Sequence, residues 1–330
     1  MHYFFHRHPR WYLYLFFFAL LCGMLFFPQI AAAGALKGLL LWFETLLPVL
    51  LPFLFLSGLL IRLDMTRPLN RMLSPVLCRF LPISPAACYP LLLGLFCGMP
   101  LGAKTTATLY QNGSISHADA TFLLAASNHA SLMFLVSYLI ANKLQQPAHT
   151  FAFLAIIYLS GLCAALLLRP RPVSVPLSHP HDSGDLSSSG IHATAVASHP
   201  SKTPGFFEAL DDSVGDGLQT ITKIGGYIIL FSMLSGFLMH CTWLVLPLRA
   251  TAAGIFEITG GIQLLCETSL PVTQKTALTL AITSFGGLSG LMQTRSVTLG
   301  SGLSIKLYFV QKCVQAGITY LLTLLIMQFC

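Results

Sequence analysis

Apolar residues run through this chain in long, uninterrupted blocks. Residues 11–27, 38–61, 118–141, 150–168, 221–242, 250–266 and 303–328 are dominated by Leu, Ile, Phe, Val and Ala. At 1.5 Å rise, about 20 helical residues cross the roughly 30 Å hydrocarbon core of a bilayer. The blocks are continuous and do not alternate at period two, so they predict helices, not the strands of a barrel. Two further apolar segments have broken interiors. Segment 86–111 contains Gly98-Met99-Pro100-Leu101-Gly102, and segment 276–300 contains Phe285-Gly286-Gly287-Leu288-Ser289-Gly290. Glycine and proline at mid-segment interrupt helical hydrogen bonding. Inside a membrane such backbone is tolerated only where protein or a watery cavity satisfies it. Both segments therefore predict re-entrant hairpins or discontinuous helices, and the whole predicts an all-α, polytopic integral membrane protein.

Composition agrees. Of 330 residues, 55% are hydrophobic and only 9% charged, against about 25% charged in a soluble domain. A water-soluble globule is excluded. The net charge of +7 does not point to nucleic acid, because the basic residues are scattered between apolar runs. They instead mark cytoplasmic loops. With a cytoplasmic N-terminus, that side carries Arg7, Arg10, Arg62, Arg67, Arg71, Arg79, Arg169, Arg171 and Lys202. The outer side carries Lys37, Lys143 and Arg249. This sorting requires segment 86–111 to enter and leave on one side, as a hairpin does. The nine cysteines form no CxxC and read as free thiols behaving as small hydrophobes.

Four regions follow. Residues 1–37 form an N-terminal membrane anchor, retained because the run is long and aromatic and ends at Pro28. Residues 38–171 form a first membrane repeat. Residues 172–204, rich in Ser, Pro and His, bury too little to fold and form a disordered cytoplasmic linker. Its His179, His181, His192 and His199 could ligate a metal, but a polar tether without ligand geometry is the expectation. Residues 205–330 form a second repeat opening on an amphipathic helix. There Phe206, Leu210, Val214 and Leu218 lie opposite Glu208, Asp211, Asp212 and Asp216. That helix lies along the membrane surface or docks on the protein itself.

The halves echo each other. Trp42-Phe43-Glu44-Thr45-Leu46 precedes the first break and Ile255-Phe256-Glu257-Ile258-Thr259 the second, with Lys104 and Arg295 beyond. Paired interrupted helices in two repeats point to a secondary transporter. Carboxylates inside apolar runs are costly unless paired, protonated or cavity-facing, so Glu44 and Glu257 are candidates for a coupling ion, proton or sodium. His129 joins them as a group able to carry a proton near neutrality. Gly98, Gly102, Lys104 and Thr105 offer free backbone N–H groups, a cation and a hydroxyl to an anion. Gly286, Gly287, Gln293 and Arg295 form the matching set, the arginine able to clamp a carboxylate. Asn128 adds an amide. Structural alternatives stand beside each: a snorkelling lysine, close-packing glycines, an interfacial arginine, an interhelical hydrogen bond for Asn128 and His129, and, for Glu44 and Glu257 alike, a buried pair with lysine or a carboxylate bonded to a broken helix N-terminus. No GxSxG, HExxH or P-loop is present, so neither an enzyme nor a bound metal or cofactor is expected.

Pro48-Val49-Leu50-Leu51-Pro52-Phe53, Gly94-Leu95-Phe96-Cys97-Gly98-Met99-Pro100-Leu101-Gly102-Ala103-Lys104, Leu109-Tyr110, Gly113 and Asn128 follow in order. Ile224-Gly225-Gly226-Tyr227, Glu257-Ile258-Thr259-Gly260-Gly261, Phe285-Gly286-Gly287-Leu288-Ser289 and Gln293 come after them. This succession resembles the YlbJ-type sporulation integral membrane proteins, which carry a nucleoside-recognition "Gate" domain. The resemblance implies a fold similar to concentrative nucleoside transporters. It also implies movement of a small solute, such as dipicolinate or a nucleoside-like compound, across a cell (inner) membrane during sporulation, including one surrounding the forespore. The Gate glycines map onto Gly98 and Gly102 and the second cluster onto Gly286 and Gly287. The family pattern has a proline shortly after the asparagine; this chain has Asn128-His129-Ala130-Ser131, which predicts a less broken helix there. The expected partners are an anionic solute, the lipid bilayer and a second copy of the chain. The rival reading is a non-transporting scaffold of a sporulation complex.

Overall fold

The computed structural model describes residues 11–169 and 205–328. The N-terminal charged residues 1–10 and the 172–204 linker expectation lie outside the described residues. Those described form helices and turns, with no strand among them.

Helix α1 (Trp11–Phe26) breaks at Phe27, and α2 (Pro28–Leu40) starts with proline at a position where its missing N–H costs nothing. A π-helical turn, Leu41–Leu46, leads into α3 (Leu47–Arg62). Together α2, this turn and α3 make one 35-residue helical run, Pro28–Arg62. The expected boundary between anchor and first repeat, at residue 37, thus falls inside a continuous helix. Helix α4 (Thr66–Phe80) follows, and the segment Pro85–Cys97 turns from it by 104°.

The next three features recur in both halves. Helix α5 (Cys88–Cys97) folds back on α6 (Leu101–Gln111) as a hairpin. Then α7 (His117–Ala126) stops, the chain runs non-helically through Ser127–Ser131, and helix resumes into a π-helical stretch, Phe134–Leu144. The long α8 (Thr150–Leu167) closes the half. After α9 (Phe206–Met239), α10 (Leu246–Phe256) folds back on α11 (Ile258–Cys266) as a second hairpin. Then α12 (Val272–Phe285) breaks at Gly286 before α13 (Gly287–Thr298), and the long α14 (Ile305–Ile326) closes the chain. Each half therefore reads hairpin, discontinuous helix, long helix.

This order corrects the sequence-level pairing. Segment 276–300 is a discontinuous helix, not a hairpin: α12 packs on α14 and α11, while α13 packs on α9, α6 and α10. Its counterpart is the break at Ser127–Ser131. The counterpart of segment 86–111 is 250–266, which hydropathy alone presents as an ordinary span. Both hairpins cross at paired glycines. A Cβ on Gly102 would lie 2.8 Å from the Gly94 Cα, and one on Gly261 would collide with the Gly254 backbone. Small residues let helix backbones approach where apolar burial gives no drive in lipid.

The amphipathic segment after residue 205 takes the second of its two expected placements. It is the first three turns of α9, a continuous helix of 34 residues. Its acidic face docks on the protein: Arg62 at the end of α3 pairs with Asp212 at 3.1 Å and with Asp216. Among the described residues four helical runs are long and apolar enough to span a membrane, or five if α4 and α5 count as one bent span. Large apolar side chains face outward along α1, α3 and α8, among them Phe17, Phe53 and Leu167, as a lipid-exposed surface requires.

Candidate functional site

The two hairpin tips and the two helix breaks meet. At the first tip, Gly98 takes φ +77°, a conformation that only glycine adopts freely, and the Met99 N–H donates to the carbonyl of His129 at 2.6 Å. A Cβ on Gly98 would lie 2.5 Å from the Ser131 nitrogen. The tip is thus seated in the break between α7 and the helix after it. At the second tip, the positions around Glu257 adjoin Gly287: a Cβ there would lie 3.3 Å from the Phe256 carbonyl oxygen. The Met99 side chain bridges the two, its sulfur 2.7 Å from a Cβ built on Gly290 and its methyl 3.0 Å from one on Gly286.

The break at Ser127–Ser131 forms without the expected proline, so the helix is more broken than the sequence suggests. Its local chemistry explains why. The His129 ring Nε2 lies 2.9 Å from the Ala126 carbonyl, serving an acceptor that the helical ladder abandons. The His129 carbonyl goes to the hairpin tip, and Ser127 Oγ donates to Leu123 O at 2.8 Å. Asn128 projects inward, donating to Thr294 Oγ1 at 2.8 Å and Tyr308 OH at 2.7 Å, so one amide joins the break in the first half to α13 and α14 in the second.

Glu257 is buried and caps α11. It accepts from the Thr259 N–H at 3.0 Å, the Gly260 N–H at 2.9 Å and the Thr259 hydroxyl at 2.5 Å. A carboxylate at a helix N-terminus is favoured both by the free N–H groups and by the helix dipole, so Glu257 turns the chain within the hairpin. Gln293, also buried, donates to Ser289 Oγ at 3.0 Å on its own helix.

Other expected site residues lie elsewhere. Lys104 points from α6 to α9, donating to Thr220 Oγ1 at 2.5 Å and Asp216 O at 3.2 Å. Thr105 meets Ser57 Oγ at 3.2 Å. Glu44 is exposed within the π-helical turn, and Arg295 is exposed near the end of α13. The Phe-Glu echo therefore joins non-equivalent places: Glu257 stands in a hairpin tip and Glu44 in an unbroken helix. Gly98, Asn128, His129, Gly286 and Gly287 come together at the tips and breaks; Glu44, Lys104 and Arg295 do not join them.

Hydropathy concealed the strongest polar feature. Tyr308, Gln311, Lys312, Gln315, Thr319 and Thr323 form one stripe down α14, and every one is buried. Lys312, 2% exposed, donates to Gln315 Oε1 at 2.9 Å. Gln315 Nε2 donates to His129 Nδ1 at 3.0 Å and to Ile157 O at 3.2 Å. Thr319 continues the stripe to Ser284 at 3.0 Å and Ser160 at 2.7 Å. Both amide atoms of Gln311 and the Asn128 Oδ1 are buried without a partner. The signal lay in the sequence as polar positions recurring every three or four residues from 308 to 323, inside a segment whose mean hydropathy is that of an ordinary span.

Two interrupted hairpins, two discontinuous helices and a polar centre among lipid-facing helices define a polytopic, all-α integral membrane protein. The chain is 27% identical over 327 residues to the sporulation integral membrane protein YlbJ of Bacillus subtilis (strain 168), a match covering 91% of this chain and 78% of that protein. No protein-family model matches the chain, and no solved structure matches it.

Proposed function

We propose that this protein is a secondary transporter of a small anionic solute across a bacterial membrane during sporulation. The convergence of both hairpin tips on both helix breaks carries the reading. Free backbone groups in the membrane interior are expensive, and transporters concentrate them where a solute is bound near the midplane. The unpartnered Gln311 amide and Asn128 oxygen support it, since each buried unsatisfied polar group costs about 1–3 kcal/mol unless something satisfies it. The similarity to a sporulation protein of Bacillus subtilis supports the setting. The anionic class follows from Lys312, a buried cation with no carboxylate bonded to it among the described residues. Dipicolinate, suggested by the resemblance, is the first solute to test.

The experiment is uptake of radiolabelled dipicolinate, and of nucleosides in parallel, by proteoliposomes holding the purified protein. Saturable uptake that Asn128→Ala and Gln311→Leu reduce is expected. Uptake no faster than in empty vesicles for every solute sets the reading aside in favour of the scaffold.

A further inference from the structure

We infer that Lys312 is the residue that carries the coupling proton, taking it up from one face of the membrane and releasing it to the other. This rests on the transporter reading above. The geometry supplies three arguments.

The first is the missing counter-ion. Among the described residues the ion pairs are Arg62 with Asp212 and Asp216, Arg67 with Asp64, and Arg169 with Asp119. Lys312 is in none of them. An ammonium has three N–H groups to donate. Here it has one hydrogen-bond partner, Gln315, and the Tyr308 ring, with its centroid 5.9 Å away. A permanent charge in a membrane interior is held by a carboxylate or a cavity. An amine that loses and regains a proton needs neither at every stage.

The second is the direction of the hydrogen bonds. An ammonium only donates, so with Lys312 charged Gln315 presents its oxygen to it and its NH₂ to the His129 Nδ1. That nitrogen must accept, which places the ring proton on Nε2, facing the Ala126 carbonyl. The chain Lys312, Gln315, His129, Ala126 runs one way and ends at the C-terminus of α7, where the helix dipole is negative. A positive charge arriving on Lys312 polarises every member in the favourable sense. It is thereby stabilised at the break where the first hairpin tip sits.

The third is the lack of competitors. Helix α14 packs against α12, α8, α7 and α13. Their titratable and charged groups are few. On α12, Lys275 is bonded to the Cys266 carbonyl. On α8 are Cys163, which is exposed, and Tyr158, whose ring lies edge-on to His129 with centroids 5.7 Å apart. On α7 are Asp119, paired with Arg169, and the exposed His117. On α13 Arg295 is exposed, and α14 itself adds Lys306, Cys313 and Tyr320 besides Tyr308. None places a carboxylate against Lys312.

The step balances simply. A hydronium on the loading side gives one proton to the neutral amine: one O–H bond breaks, one N–H bond forms, the positive charge passes to the nitrogen and a water is released. The solute's carboxylate enters beside that charge. On the opposite side the solute leaves, a water takes the proton as the N–H bond breaks, and the neutral amine is restored.

Two measurements test this, one independent of any solute. The first is the nitrogen magnetic resonance of lysine-¹⁵Nζ-labelled protein in lipid bilayers, followed from about pH 5 to about pH 9. One lysine signal should pass from ammonium to neutral amine, and Lys312→Met, or Lys312→Gln if the first does not fold, should delete it. If no lysine signal switches, the proposal is overturned, whatever the variants do. The second compares two modes of dipicolinate movement in proteoliposomes. Exchange at equal pH reports transport alone, and accumulation on an imposed proton gradient reports coupling. Lys312→Arg keeps a charge beside the solute but holds its proton throughout, so exchange should slow while accumulation is lost outright. Reduction of the two in equal proportion removes Lys312 as the proton carrier and leaves the transporter intact. Absence of exchange in the wild type removes the transporter reading and, with it, the coupling role, while the resonance still reports the charge of Lys312.

Discussion

The Met99 N–H donates to the carbonyl of His129 at 2.6 Å, fastening the tip of one hairpin into the interruption of the neighbouring helix. The bond needs Gly98 at φ +77° with its Cα against the Ser131 backbone. Gly98→Ala would put a methyl 2.5 Å from a backbone nitrogen that has nowhere to move. A loss of at least about 1–3 kcal/mol is expected, read as a lower melting temperature in detergent-solubilised protein. Gly226→Ala is the control: the site is helical, with nothing within 4 Å of a new Cβ, and a gain of about 0.5–1 kcal/mol is expected there.

Glu257 holds three donors at the head of α11. Glu257→Gln keeps one accepting oxygen and Glu257→Leu keeps none, so stability should fall in the order wild type, Gln, Leu. The loss of a side-chain cap costs about 0.5–2 kcal/mol, and the buried N–H groups left behind add to it. Equal stability of all three proteins would show that the cap is dispensable and return Glu257 to the coupling-ion candidates.

Asn128 couples the halves through Tyr308. In a double-mutant cycle, Asn128→Ala and Tyr308→Phe should share a coupling energy within about 0.5–3 kcal/mol, because each single change strands the other group. Chemical denaturation in mild detergent measures it. Strict additivity would mean that the 2.7 Å bond contributes nothing net.

Cys78 on α4 and Cys88 at the start of α5 bring their sulfurs to 3.7 Å across the 104° bend. A disulfide spans about 2.05 Å, so a small approach closes it. A membrane-permeable oxidant should link the two within one chain, seen by mass spectrometry after alkylation of the remaining thiols. Cys78→Ser should abolish the link, and persistence of two free thiols in the oxidised wild type would contradict the placement.

The sequence announced the helices and the first hairpin because long apolar runs and glycine clusters act locally. It concealed the second hairpin. The turn at Glu257 is made by a carboxylate bonding two residues ahead, and nothing in hydropathy separates that from a carboxylate in a straight span. The break at Ser127–Ser131 was equally hidden, since its cause is tertiary: the abandoned carbonyls of Ala126 and His129 are served by a histidine ring and by a hairpin tip distant in sequence. Lys104 and Arg295 looked like a matched pair from their places in the sequence. The fold sends the first to α9 and leaves the second exposed. Hydropathy hides Lys312 because averaging over α14 dilutes its charge among apolar residues, although the 308–323 stripe repeats at helical period.

Met99 is bonded to the first half's break by its backbone and leans on the second half's break by its side chain. A single flexible residue therefore links the two devices mechanically, beside the polar link that Asn128 makes. If either break shifts when it is occupied, the other must sense it, and by reciprocity the influence is equal in both directions. Coupling between the halves would then be tuned at position 99, by a thioether soft enough to yield.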